Sequence, residues 1–336
     1  MKLTGKTIAG TLAGLAMAAV AVPASAQQKV TFGTNWLAQA EHGGFYQSVA
    51  DGTYAACGLE VEIVPGGPQV NNRALLMADR MQFHMGGDML QAFNAVAENV
   101  PVVSVMATFQ KHPQVIIAHP GEADTWEELK DLTLLIGDNG FTSYYQWMIA
   151  AHGFTSDQRE PYTFNPAPFL ADKRKGMQGF LSSEPYAIEK EAGFTPNVFL
   201  IADAGYSTYA TTVEVMQPFL EANPDAVKCF VEGSILGWYN FLYGDNAGAK
   251  ELILAANPDM TMDKIEFAIG KMIEMGIVDS GDSLEMGIGV MTEAQVGDFY
   301  TKMVDAGVIA DGIDWKASFT TEFVGKGLGL DLRPKN

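Results

Sequence analysis

The sequence predicts an α/β protein of two lobes, each a mostly parallel sheet with helices on both faces. Three observations carry this. Strand-like and helix-like segments alternate from the first residues of the presumed mature chain. The 336 residues exceed one ordinary core even after an N-terminal leader is set aside. Hydrophobic residues make up 48% of the chain, enough to fill two cores and well outside the disordered range.

The leader comes first. Lys2 and Lys6 precede a bland apolar run from Ile8 to Val22, and Pro23-Ala24-Ser25-Ala26 supplies an A-x-A cleavage site. Residues 1–26 therefore read as a secretory signal peptide. The run is too short, and too rich in Gly and Ala, for a good membrane span. No Cys follows it to take a lipid. The mature chain is expected to begin near Gln27, free in the periplasm, which argues against a cytoplasmic ATP- or NAD-dependent enzyme.

The elements follow in order. Lys29 to Trp36 is the first strand and Gly43 to Ala56 a helix. Leu59 to Val64 alternates with period two, a strand closed by Pro65-Gly66-Gly67-Pro68. A helix over Val70 to Ala78 leads to a strand over Met81 to Met85 that ends at Gly86-Gly87. Asp88 caps a helix running to Ala97, and Pro101 to Phe109 is an apolar strand. This β-α-β order predicts the parallel sheet. A second unit begins near Lys111-His112-Pro113, with strands over Gln114–Ala118, Leu132–Ile136 and Asn197–Ile201, short ones at Tyr162–Phe164 and Gly179–Leu181, and a helix over Thr142–His152. Long helices close the chain, over Gln217–Leu242, Asp245–Ala256, Met262–Met275 and Thr292–Ala306. The expected division is residues 27–110 plus 204–336 in one lobe and 111–203 in the other.

The formal charge is -19, and loss of Lys2 and Lys6 makes the mature chain more acidic still. Such a surface repels nucleic acid and anionic lipid. Cys57 and Cys229 fit no metal motif. A disulfide and two separate buried thiols both remain open. No phosphate-loop, zinc-helix or nucleophile-elbow motif occurs. Gly43-Gly44 and Gly66-Gly67 read as turns, the Met residues as core filler, and no cofactor, catalytic residue or metal ligand is expected.

Open α/β sheets bind ligands beyond the carboxyl ends of their strands, so those loops define the candidate site. The first lobe offers Asn35, Trp36, Gln39, Glu41, His42, Tyr46, Gly87, Asp88, Phe109 and Gln110. The second offers Asn139, Phe141, Tyr144, Trp147, Glu184, Tyr186, Asp203, Tyr206 and Tyr209. The set is aromatic and acidic. Trp36, Phe109, Phe141 and Tyr206 form a candidate sandwich for a flat ring, and Asp88 and Glu184 are candidate acceptors for ring amines. Each has a plainer reading: Trp36 as packing, His42 and Asp88 as helix caps, Trp147 as core. His112, His119 and His152 read as solvated. Arg73 and Arg80 are the only arginines near the first lobe's loops, which disfavours a free anion such as a sulfonate.

With these residues in view, the chain resembles the thiamine-pyrimidine-precursor family of solute-binding proteins. The carrying segments are Asn35-Trp36, then Glu41-His42-Gly43-Gly44-Phe45-Tyr46-Gln47, then Gly58 to Gly67 with its Gly-Leu-x-Val strand and Gly-Gly turn. The resemblance implies a type II periplasmic binding fold that closes about a hinge on one ligand. It also implies that Trp36 and His42 touch that ligand. It makes the chain the binding component of an ABC importer, a monomer that serves a permease in the inner membrane. The export signal, the two-lobe pattern and the aromatic, acidic strand ends point to a small planar nitrogen heterocycle, uncharged or cationic, as its guest. Relatives of the family bind pyrimidines, riboflavin, sulfonates and other small organics. Met85-Gly86-Gly87-Asp88 departs from the small polar pair often seen there and leaves the ligand open. The eukaryotic enzymes of the family use pyridoxal phosphate and a cysteine-rich motif that this chain lacks. A sensor that docks on a chemoreceptor is a further reading.

Overall fold

The computed structural model describes residues 1, 2, 5, 27–67, 70–163 and 165–335. The expected signal peptide, apart from three of its residues, lies outside the described residues, as do Pro68 and Phe164.

Two five-stranded sheets organise the chain. The first is built from β1 (Gln28–Gly33), β2 (Leu59–Val64), β3 (Phe83–Met85), β4 (Val102–Phe109) and β10 (Ala210–Met216), in the order β2-β1-β3-β10-β4. The second holds β5 (Gln114–Ala118), β6 (Thr133–Ile136), β7 (Arg159–Pro161), β8 (Lys175–Phe180) and β9 (Asn197–Leu200), in the order β7-β6-β8-β5-β9. In each sheet one strand runs against the other four: β10 between β3 and β4, and β5 between β8 and β9. These are the strands that follow the two passages of the chain between sheets, from Phe109 to Gln114 and from Leu200 to Ala210. The mostly parallel, two-lobe α/β expectation therefore holds, and the reversed strand records where the chain changes lobe.

Local sequence explains the elements. β4 reads Val-Val-Ser-Val-Met-Ala-Thr-Phe and is buried along its whole length, although it is last in its sheet. The C-terminal segment covers that edge, with Ala107 N–H donating to the Gly289 carbonyl at 3.1 Å and Thr320 N–H to that of Ser104 at 2.9 Å. Covered edges do not recruit other chains. Asp88, Thr261 and Thr292 cap the helices Met89–Ala97, Met262–Glu274 and Glu293–Asp305 through their side-chain oxygens. Gly153 ends the helix Tyr144–His152 in the left-handed conformation, φ 74°.

Gly43 and Gly44 are not turn residues. They begin the helix Gly43–Ala50, which packs so closely on the helix Pro224–Tyr243 that a Cβ on Gly44 would lie 2.2 Å from the Trp238 ring. Cys57 and Cys229 form a disulfide, Cα–Cα 5.7 Å, joining the turn before β2 to that long helix. His112 and His119 are buried rather than solvated, at 7% and 5% exposure. His112 Nδ1 accepts from Gln114 N–H (3.1 Å), and His119 Nε2 donates to the Phe169 carbonyl (2.8 Å) between the Phe169 and Phe194 rings. Each ring finds a hydrogen-bond partner, which offsets its desolvation.

Two cores fill the lobes and a third joins them. Under the first sheet, Phe32, Phe45, Phe83 and Phe230 form an aromatic stack, with Phe83 and Phe230 centroids 4.0 Å apart. Val115, Ile117, Leu135, Met177 and Phe169 pack on one face of the second. The joining core gathers Met89, Leu90 and Phe93, then Ile136 and Tyr145, then Tyr206, Phe299 and Met303.

Candidate ligand-binding site

A cavity of about 380 Å³ lies between the lobes. Three stretches line it. The loop after β1 brings Trp36, Leu37, Gln39, Ala40 and Glu41. The second lobe brings Tyr162, Thr163, Ser182, Ser183, Glu184, Tyr186 and Ala187. The third is Asn257, Asp259, Met260, Lys264 and Ala268, where the C-terminal helices fold back.

Each stretch is fixed locally. Thr34 Oγ1 accepts from Gly66 N–H and donates to the Trp36 carbonyl, tying the β1 loop to the turn after β2. A Cβ on Gly66 would meet the Thr34 carbonyl oxygen at 2.5 Å, so only glycine allows this approach. Asn257 Nδ2 donates to the Ala38 carbonyl (2.8 Å), holding the C-terminal stretch against that loop. Glu184 opens the helix Glu184–Ala192, with Pro185 in its first turn. Its carboxylate accepts from Phe180 N–H at 2.6 Å, and Gly179 leaves the room it occupies.

The electrostatics are unusual for a surface groove. Burial pushes the Glu184 carboxyl up to about 7, against the Phe180 N–H, and the neighbouring Glu41 charge adds to the rise. Burial raises Glu41 as well, opposed by a hydrogen bond from Ser182 Oγ that crosses between the lobes. His42, next in sequence to Glu41, is buried at 1% exposure and does not line the cavity; desolvation lowers it to about 3, so it is a neutral imidazole. Its Nδ1 has no hydrogen-bond partner. The cavity thus offers three carboxyl groups, Glu41, Glu184 and Asp259, and three rings, Trp36, Tyr162 and Tyr186, to whatever enters. Among the described residues no group of side chains is arranged to hold a metal ion, and no helix is long and apolar enough to cross a membrane.

Of the sequence-derived candidates, Trp36 and Glu184 line this cavity, together with Gln39, Glu41 and Tyr186. The structure does not gather the four-ring sandwich there. Phe109 is in the first lobe's core, edge-on to Trp238 at 6.2 Å. Phe141 lies under the Arg159 guanidinium, 4.6 Å from its ring centroid. Tyr206 is the centre of the joining core, 5.2 Å from Trp147 and 5.1 Å from Phe299, and its hydroxyl donates to Asp88 at 2.8 Å. Asp88 caps its helix and faces His112 Nε2 at 3.6 Å. Gly87 N–H donates to Gln91 Oε1. Tyr144 is buried, its hydroxyl donating to Gln178. Tyr46 packs in the first core, where burial pushes its phenol up to about 12. Asp203 is exposed and pairs with Lys111 at 3.1 Å, each from one of the two interlobe passages. The Asn139 side chain lies outside the described residues.

Among the residues that sequence reasoning missed are Tyr162, Ser182 and the stretch from Asn257 to Ala268. Asn257-Pro258-Asp259 reads locally as a turn, and nothing nearby shows that it returns to the β1 loop.

Two mixed α/β lobes with a shared cavity between them, the chain crossing twice, are the architecture of the periplasmic binding proteins. Within that class the chain belongs to the NMT1/THI5-like family, whose model matches residues 39–243. A riboflavin-binding protein, RibY, from Chloroflexus aurantiacus is 25% identical over 310 residues, 88% of this chain and 86% of that protein. A Candida albicans gene product described as having the generic periplasmic binding protein fold superposes with a TM-score of 0.60 at 14% identity, over 88% of this chain and 96% of its own. The alkanesulfonate-binding protein SsuA of Xanthomonas axonopodis pv. citri, bound to MOPS, gives 0.62 at 10% identity, over 88% and 99%.

Proposed function

We infer that the chain is the periplasmic solute-binding component of an ABC importer, a binding protein rather than an enzyme. It works as a monomer and hands its guest to an inner-membrane permease. The guest is a small planar nitrogen heterocycle, neutral or cationic, of the pyrimidine type. Residues 27–110 with 204–336 form one lobe and 111–203 the other, and they close about the two passages between sheets.

The observation that carries this reading is the cavity itself. Trp36 supplies a face for a flat ring, and Glu41 and Glu184 supply acceptors for ring amines or a protonated ring nitrogen. Lys264 is the only basic side chain in its lining, against Glu41, Glu184 and Asp259, a poor setting for a sulfonate. The volume of about 380 Å³ is at the low end for small-molecule sites, which suits one ring. Riboflavin is the second reading, favoured by the likeness to RibY along most of the chain.

A thermal-shift screen against pyrimidines, purines, flavins, aromatic acids and sulfonates tests the assignment. Pyrimidines are expected to raise the melting temperature most. If every stabilising compound is a sulfonate or phosphate, the ligand reading is wrong.

A further inference from the structure

The contacts that close the mouth of the cavity come from one short stretch of the second lobe. Ser182 Oγ donates to Glu41. Tyr186 stacks on Phe267, centroids 4.5 Å apart at 29°. Glu191 faces Lys264 at 3.9 Å. The two outer contacts are partly exposed, while Ser182 and Glu41 are buried at 2% and 3% exposure. On the cavity side, Glu41 loses nearly all of its water through a contact between lobes, and separating the lobes there returns that water.

We propose that Glu41 and Ser182 form a proton-dependent latch: with the cavity empty, the lobes shut only when Glu41 holds a proton, and a guest's positive charge can replace that proton. The proposal rests on the reading that the lobes hinge, and it goes beyond the identity of the guest.

The surroundings supply no alternative counter-charge. His42, next in sequence, is neutral. Glu184, on the helix facing Glu41, brings a second carboxyl, and its charge would repel. Asp259 adds a third carboxyl to the lining. Lys264 is directed to the Asp259 carbonyl (3.5 Å) and to Glu191. Tyr162 and Tyr186 complete the titratable groups of the lining. Burial raises the Glu41 carboxyl in the shut form, in keeping with the latch. The sign follows directly. A group whose affinity for protons is higher in the shut form than in the open form favours shutting at low pH. That preference is lost as pH rises through the raised value.

Small-angle scattering of the unliganded mature chain between about pH 5 and about pH 9 tests this. One linked proton changes the shut-to-open ratio by at most about tenfold per pH unit. The radius of gyration is expected to grow with pH in the wild type. Glu41→Gln, a permanent stand-in for the protonated acid, should stay compact throughout. Phe267→Ala, outside the cavity lining, should shift the balance toward the open form at each pH while the radius still grows with pH. Circular dichroism confirms that each variant is folded, and Ser182→Ala, which should weaken the dependence, serves if Glu41→Gln does not fold. A wild-type radius that does not move with pH, or a Glu41→Gln variant that keeps the wild-type profile, overturns the latch. The experiment uses no guest, so a wrong ligand assignment, which the thermal-shift screen detects, does not affect it.

Discussion

The two lobes meet in two places of opposite chemistry. On the side of the interlobe passages the contact is an aromatic core. Tyr206 is fully buried among Trp147, Phe299 and His112, and its only polar atom is satisfied by Asp88. On the other side the contact is a hydrogen bond between Ser182 and Glu41, one ring stack and one long ion pair around a cavity. Opening the first side would expose several large rings at about 25 cal/mol per Å². Opening the second returns water to carboxyls that are costly to keep dry. The same pair of lobes is thus fastened on one side and releasable on the other. If the lobes hinge as proposed, the pivot is expected near Tyr206.

The comparison is broken first by stability. Tyr206→Ala should cost about 3–5 kcal/mol in denaturant unfolding, because it leaves a cavity in the joining core and strips Asp88 of its donor. A loss under about 1 kcal/mol would mean that this side is no more fastened than the other. Next comes affinity. Trp36→Ala and Glu184→Gln should each weaken guest binding by about 1–3 kcal/mol in calorimetry. Their unfolding midpoints should shift much less than that of Tyr206→Ala.

The pH dependence sharpens the contrast further. Glu184 has its carboxyl raised to about 7, so the shut cavity gains negative charge as pH rises through that value. A cationic ring should then bind more tightly at about pH 8 than at about pH 6, and Glu184→Gln should flatten the profile. A neutral ring should show no such gain. The smallest effect is expected from Asp88→Asn. Asn caps a helix nearly as well, so affinity should be unchanged and the melting temperature should fall only slightly. A large loss of affinity would instead place the Asp88 carboxylate against the guest.

Much of this was legible in sequence. Most strands and helices alternate with clear periods, and the cap at Asp88 and the stop at Gly153 are local signals; β10 is missing from the expected strands, and it is the strand that joins β3 to β4. Trp36 and Glu184 were also readable, because a residue at a strand end or before a proline has few places to go. The rest was not local. Phe109, Tyr144 and Tyr206 have the residue types of a binding site, but only the packing of other segments decides whether an aromatic ring faces a cavity or a core. Ser182 carries no sequence signal, since its role comes from Glu41, 141 residues away. The same distance explains His112 and His119. Histidines beside turns read as solvated until Phe169, Phe194 and Tyr206 arrive from later in the chain.

The reversed strands also set the order of assembly. The second sheet is made from one unbroken stretch, Gln114 to Leu200, and needs no strand from outside it. The first sheet must wait: β4 has no neighbour in it until β10 slides in beside β3. Such distant pairing is slow to form. A folding chain can therefore hold one finished sheet and one unfinished sheet, and the flank of β4 stays open until the segments around Gly289 and Thr320 reach it.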